Sequence, residues 1–211
     1  MKLNERGLLI VLSGPSGVGK GTVRKALFEL EGHDLVYSIS MTTRAPREGE
    51  VDGVDYYFVT REEFTQRIKD GKFIEYAEFV GNYYGTPKDK VDEQLALGKE
   101  VVLEIEVQGA LQVRLKAPDG VFIFIAPPTK EALYNRLLRR GTENPDIIQE
   151  RMDKAESEFP LAHKYDYIVV NDEVTNAADR ILAIIRAEHA RTKRSIYKYN
   201  EILEVKYNGK K

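Results

Sequence analysis

The chain has 211 residues, 42% of them hydrophobic and 31% charged, a balance that supports a folded core and excludes a disordered polymer. A formal net charge of -2 gives no global attraction to nucleic acid. With no cysteine, a disulfide framework and a thiolate zinc site are both excluded, which is compatible with a reducing compartment.

From the N-terminus, a charged segment leads into an apolar run at residues 7–12, far too short for a membrane span or a secretory apolar region. The expected location is cytoplasmic, with neither a membrane nor nucleic acid as partner. The 7–12 run reads as a buried strand entering a glycine-rich turn, and a helix is expected to begin near Lys20. Further apolar or β-branched runs at 35–40, 101–107, 121–126 and 167–170 are separated by helical patterns. That alternation predicts an α/β fold, a mostly parallel sheet with helices on both faces.

Between Arg44 and Gly85 the texture changes. Strand-like pieces at 55–59 and 73–79 flank a short helix at 62–70, punctuated by Gly49, Gly53, Gly71 and Gly81. This predicts an inserted mixed lobe, residues 41–86, between core segments 7–40 and 87–187 of one domain spanning 1–211. Residues 139–146 carry Gly141 and Pro145 between helical stretches and read as a loop or lid, taken as about 139–150. The last long helix is expected over 175–197, with Ala178, Ile181, Leu182 and Ile185 on one face. Residues 188–211 form its end and a basic tail, read as a solvated face. His33, His163 and His189 are scattered and fit no metal-ligand spacing.

The strongest local motif is Gly14, Pro15, Ser16, Gly17, Val18, Gly19, Lys20, Gly21 and Thr22. Following a strand and opening a helix, it has the glycines and lysine of a phosphate-binding loop, whose backbone N–H groups and helix N-terminus attract phosphate oxygens. The sheet is therefore expected to be of the P-loop NTPase type, with residues 14–22 on ATP and Lys20 on the transferred phosphate. Gly21 stands where a Ser or Thr hydroxyl usually holds magnesium. Mg²⁺ is accordingly expected with ATP, with no direct protein ligand, through waters near Glu104 and Glu106. At alternating positions of the 101–107 run, these two carboxylates would share one strand face and need a cation to meet them.

Across the inserted lobe the residues Ser40, Arg44, Arg47, Tyr56, Glu75, Tyr84 and Thr86 occur in order, with Glu104 to Gly109, Arg136 to Thr142 and Asn171-Asp172 beyond them. Together with the phosphate loop, this set resembles the guanylate kinase family over about residues 7–187. The resemblance implies transfer of the γ-phosphoryl group of ATP to GMP, giving ADP and GDP in purine nucleotide recycling. It places Ser40, Arg44, Arg47, Tyr56, Glu75, Tyr84, Thr86 and Glu104 on GMP, and Asn171 and Asp172 near adenine. Lys20, Arg44, Arg136, Arg140 and Arg151 become the catalytic set.

The chemistry of these residue types is consistent with that assignment. Arginines three apart suit one phosphate, since their planar forks match its oxygens, and tyrosine hydroxyls add donors. A carboxylate at Glu75 suits the N1–H and 2-amino group of guanine, with Thr86 and Ser40 as donors to O6. Arg136 and Arg140, four apart, share a helix face, and Arg151 follows the lid. No general base is required, because the acceptor oxygen is already ionised. Two alternatives remain at this level: a non-catalytic guanylate-kinase-like module that holds phosphorylated peptides, and a kinase for AMP or UMP. The sequence leaves the oligomeric state open.

Overall fold

The computed structural model describes residues 6–139 and 145–204. Its strands are β1 (Leu9–Ser13), β2 (Leu35–Tyr37), β3 (Met41–Thr42), β4 (Tyr57–Phe58), β5 (Phe73–Phe79), β6 (Asn82–Pro87), β7 (Glu100–Glu104), β8 (Val121–Ala126) and β9 (Tyr167–Val170). Its helices are α1 (Lys20–Glu29), α2 (Arg61–Lys69), α3 (Lys88–Ala96), α4 (Val107–Lys116), α5 (Lys130–Arg139), α6 (Pro145–Glu158), α7 (Val174–Ala190) and α8 (Thr192–Leu203), with a 3₁₀ segment at Phe159–Lys164.

The main sheet has the order β2-β7-β1-β8-β9, and all of its pairings are parallel. Helices cover both faces, so its strands read as continuous apolar runs. Ile10, Leu12, Ile123 and Ile125 pack with Val23 and Leu27 of α1 and Ala178, Ile181, Leu182 and Ile185 of α7. Leu9, Val11, Leu103 and Phe122 point the other way, against Val91 and Leu95 of α3 and Ala110 and Val113 of α4. The α/β expectation and the inward face of α7 both hold.

A second sheet, of order β4-β3-β6-β5, mixes parallel and antiparallel pairing. Its core stacks Phe64 of α2 against Phe73 and Tyr83, at centroid distances of 4.3 and 5.3 Å. Helix α2 starts where a capping pair predicts, Thr60 accepting from the Glu63 N–H at 3.1 Å. Strand β6 is an addition to the sequence reading. It is joined to β5 through Val80 and Gly81, both at positive φ, the turn geometry that matches strand twist.

Several boundaries differ from the sequence expectation. Strand β2 stops at Tyr37, because the chain leaves the main sheet to enter the second one at Met41. Strand β7 stops at Glu104; Val107 belongs to α4, with Glu106 in extended conformation just before it. The expected 55–59 strand is reduced to Tyr57–Phe58. Helix α6 already begins at Pro145, a favoured residue for a first turn.

The single helix expected over 175–197 is two helices, broken at Arg191, which is extended. Arg194 lies six positions beyond Glu188, off its helical face, and the break brings it within 2.9 Å of that buried carboxylate. Arg191 and the Tyr167 hydroxyl reach the same group, at 3.2 and 2.5 Å. This part of the basic segment is therefore built into the fold. Among the described residues, no helix is long and apolar enough to cross a membrane.

Candidate active site

The phosphate loop leaves β1 at the middle of the main sheet and ends in α1. Two of its glycines are required by geometry. Gly14 has φ 148°, and a Cβ there would lie 2.2 Å from the Ile125 carbonyl oxygen; Gly19 has φ 92°, and its Cβ would lie 2.8 Å from Asn171 Nδ2. Lys20 curls back over the loop, donating to the carbonyls of Gly14 at 2.6 Å and Pro15 at 3.1 Å. Burial pulls its pKa below the ordinary lysine value, opposed by the charges of Glu106, Glu104 and Glu158. Thr22 is exposed in the first turn of α1.

The Val18 carbonyl accepts from both Asn171 Nδ2, at 2.8 Å, and Arg136 Nη1, at 3.0 Å. Arg136 also donates to the Asn171 carbonyl at 2.7 Å. Two residues expected at the nucleotide thus brace the loop. Asn171 is buried, a position that suits holding the loop. Asp172 turns to Arg180 of α7, with two bonds of 2.9 and 3.0 Å. That pairing, with the backbone N–H of Glu173, holds the Asp172 pKa down at about 2.

Glu104 and Glu106 do not share a strand face, because β7 ends between them. Both nevertheless meet a cation. Arg24, four residues after Lys20 on α1, donates to Glu104 at 2.8 Å and stacks 4.2 Å from the Tyr37 ring centroid. Lys154 of α6 bonds Glu106. Burial alone would raise the Glu106 pKa, but Lys154, Lys20 and Arg151 hold it below the usual carboxylate value. A Cβ at Gly21 would lie 3.2 Å from Glu104 Oε1. The residue that departs from the usual loop pattern is thus the one that gives Glu104 room. Among the described residues, no three of His, Cys, Asp or Glu converge as a metal cage. A cation that keeps its waters and binds mainly to phosphates suits this donor set.

The second sheet supplies the other group. The β5–β6 ladder shifts register between Phe73 and Glu75, and such a bulge re-aims the side chains around it. Phe73, Ile74 and Glu75 are consequently all buried in succession. Glu75 faces Thr86 across the ladder, and the Thr86 hydroxyl donates to Glu75 Oε1 at 2.6 Å. Burial pushes the Glu75 pKa up, countered by the Thr86 side chain and backbone and by the Lys116 charge. The Thr86 hydroxyl, expected at guanine O6, is paired with Glu75 here and orients the carboxylate.

Arg44, Tyr56 and Tyr84 come together at the same lobe. The Arg44 guanidinium lies 5.4 Å from the Tyr56 ring centroid, and the Tyr56 and Tyr84 rings are 6.0 Å apart. Arg44 donates to Glu50 Oε1 and to the Ala45 carbonyl, each at 2.8 Å, while the Arg47 backbone N–H donates to Glu50 Oε2. Arg47 is exposed and Ser40 half-buried. Arg151 lies on α6 near Glu106; Arg140 lies outside the described residues. Sequence reasoning missed Arg24, Glu50, Lys154 and Arg180. Arg24 was detectable from its helical spacing to Lys20; the others become visible only through their distant partners.

The guanylate kinase family model matches residues 6–188. A guanylate kinase of Onion yellows phytoplasma is 64% identical over 205 residues, covering 97% of both chains. That of Bacillus subtilis is 58% identical over 203 residues, covering 96% of this chain and 100% of its own. The crystal structure of guanylate kinase from Anaplasma phagocytophilum superposes with a TM-score of 0.75 at 36% identity, covering 99% of each chain. With a lysine-bearing phosphate loop on a parallel sheet and an appended lobe around Glu75, Thr86 and Arg44, the chain belongs to the guanylate kinase family.

Proposed function

We propose that this protein transfers the γ-phosphoryl group of ATP to GMP, giving ADP and GDP. The observation that carries this reading is the buried Glu75 carboxylate, set by a bulge and fixed by Thr86. It is a hydrogen-bond acceptor suited to the N1–H and 2-amino donors of guanine, with Ser40 available to O6. Arg44, Arg47, Tyr56 and Tyr84 receive the GMP phosphate, and Glu104 borders that site beside Arg24. Residues 41–86 then act as the acceptor lobe, and the segment around 139–150 as a lid.

On the ATP side, residues 14–22 cradle the phosphates, and Asn171 and Asp172 border the adenine. Lys20 exchanges the Gly14 and Pro15 carbonyls for phosphate oxygens, an exchange that favours a charged acceptor over neutral ones. Arg136, Arg140 and Arg151 offset the charge that builds on the phosphoryl group in flight, the principal contribution to such transfers. Glu104 and Glu106 would hold, through waters, the Mg²⁺ that accompanies ATP, and the ion would supply neutralisation of phosphate charge.

The test is ADP release from Mg·ATP with GMP, IMP, AMP and UMP in turn. GMP is expected to be used far better than the others. Equal use of AMP would reject the guanine assignment, and no turnover with any monophosphate would favour a non-catalytic binding module.

A further inference from the structure

Glu75 is held from the main-sheet side by one face of α4. A Cβ on Gly109 would lie 2.9 Å from Glu75 Oε2 and 3.4 Å from its Cδ, so the carboxylate occupies the space that a side chain at 109 would take. One turn further on, the Gln112 amide binds both backbone groups of Tyr76: its Nε2 donates to the Tyr76 carbonyl at 3.1 Å, and its Oε1 accepts from the Tyr76 N–H at 3.3 Å. Another turn on, Lys116 donates to the Phe73 carbonyl at 3.1 Å. Positions 109, 112 and 116 recur at helical spacing on one side of α4. They follow β5, the edge strand of the second sheet, through the residues that bracket Glu75.

This arrangement runs against local preference. Glycine in the first turn of a helix is a poor helix former beside alanine, and nothing in α4 itself calls for it. An edge strand would ordinarily leave its outer N–H and C=O groups to solvent, yet at Tyr76 a side-chain amide stands in for the missing neighbour strand. Both features are explained by the position of one carboxylate.

We infer that Gly109 determines base specificity and that Gln112 is a positioning residue for it. Helix α4 sets how deeply the Glu75 carboxylate is seated and at what tilt. This inference rests on the reading of Glu75 as the guanine acceptor. A hydrogen-bond pair weakens steeply when distance and angle are disturbed. An alanine at 109 would therefore disturb GMP, which offers two donors to the carboxylate, more than IMP, which offers one. The fold should tolerate the change, because the crowded group is the end of a flexible side chain and alanine favours the helix.

The experiment measures kcat and KM for GMP and IMP, KM for ATP, and Tm in the parent, Glu75→Gln, Gly109→Ala, Gln112→Leu, Glu75→Asp and the Glu75→Asp/Gly109→Ala pair. Gly109→Ala is expected to raise KM for GMP and to lower the GMP-to-IMP preference by about threefold or more, with KM for ATP and Tm unchanged. Gln112→Leu should shift KM for GMP in the same direction with less effect on kcat. In the Glu75→Asp background, whose shorter carboxylate withdraws from position 109, Gly109→Ala should add nothing. An unchanged GMP-to-IMP preference in Gly109→Ala, alongside a reduced one in Glu75→Gln, would overturn the role of α4. So would an undiminished Gly109→Ala penalty in the aspartate background. If Glu75→Gln itself keeps the parent preference, the base-reading role of Glu75 fails, and this inference with it.

Discussion

Replacing Arg44 by alanine tests the acceptor-phosphate site most directly. The Arg44 guanidinium is bonded to Glu50 Oε1 and to the Ala45 carbonyl, and its side chain is 15% exposed. A phosphate arriving there must take the place of Glu50. A charge-assisted hydrogen bond to that phosphate contributes about 1.5–3 kcal/mol. Both side chains of the Arg44–Glu50 pair are largely covered, so giving up the Glu50 contact offsets part of what the phosphate gains and places the net value toward the lower end of that range. At 1.4 kcal/mol per tenfold, Arg44→Ala should weaken GMP by roughly tenfold. Guanosine, which lacks the phosphate, should be almost unaffected. Isothermal titration calorimetry with both ligands measures the difference. Glu50→Gln is the control, because it releases the guanidinium without removing it and should change GMP affinity by only a small factor. Equal weakening of GMP and guanosine in Arg44→Ala would refute the phosphate role. A Glu50→Gln loss as large as that of Arg44→Ala would show that the pair is structural.

Three further outcomes are expected. Lys20→Ala should lower turnover by orders of magnitude while GMP affinity, measured by calorimetry, and Tm stay close to the parent values; near-parental turnover would reject the phosphate-loop assignment. Gly21→Ala should lower kcat/KM for ATP several-fold by pressing on Glu104, and Glu104→Asp, one methylene shorter, should relieve most of that loss; additive losses in the double variant would contradict the steric account. Arg194→Ala removes one partner of the buried Glu188, at a cost of about 3 kcal/mol, the lower end for such a loss because Tyr167 and Arg191 remain. Thermal unfolding should register this as roughly 2–4 °C per kcal/mol for a chain of this size. Burial alone would raise the Glu188 pKa, but Tyr167 and Arg194 hold it below the ordinary value. A lowered carboxylate stabilises the fold above its unfolded pKa, near about 4.3, and loses that contribution as pH falls toward the folded value. The gap between parent and variant should therefore be full at neutral pH and narrow below about pH 4; a gap that widens with acid would refute the account.

The phosphate loop was legible in the sequence because its causes are local. Glycines permit positive φ, the buried strand before it is apolar on both faces, and the helix after it begins at the lysine. The apolar faces of α1 and α7 were legible for the same reason, since helical period and burial coincide. The resemblance to the guanylate kinase family named Glu75, Arg44 and the tyrosines as candidates, and their residue types are consistent with that assignment.

Their aim was decided by contacts distant in sequence. A bulge of β5 against β6 buries Glu75 and sets it on Thr86, and α4 gives it room at Gly109. Arg136 and Asn171 reach a common carbonyl at Val18, across separations of 118 and 153 residues. Glu104 and Glu106, two positions apart and expected on one strand face, part company because β7 ends between them and each finds its own cation, Arg24 or Lys154. Arg191 breaks what the apolar pattern presents as one helix, and Arg194 then reaches the buried Glu188 carboxylate. Periodicity and motif spacing report what neighbouring residues prefer. The pairing of buried charges and the register of strands depend on which distant segments fold against one another, and that was settled only by the tertiary structure.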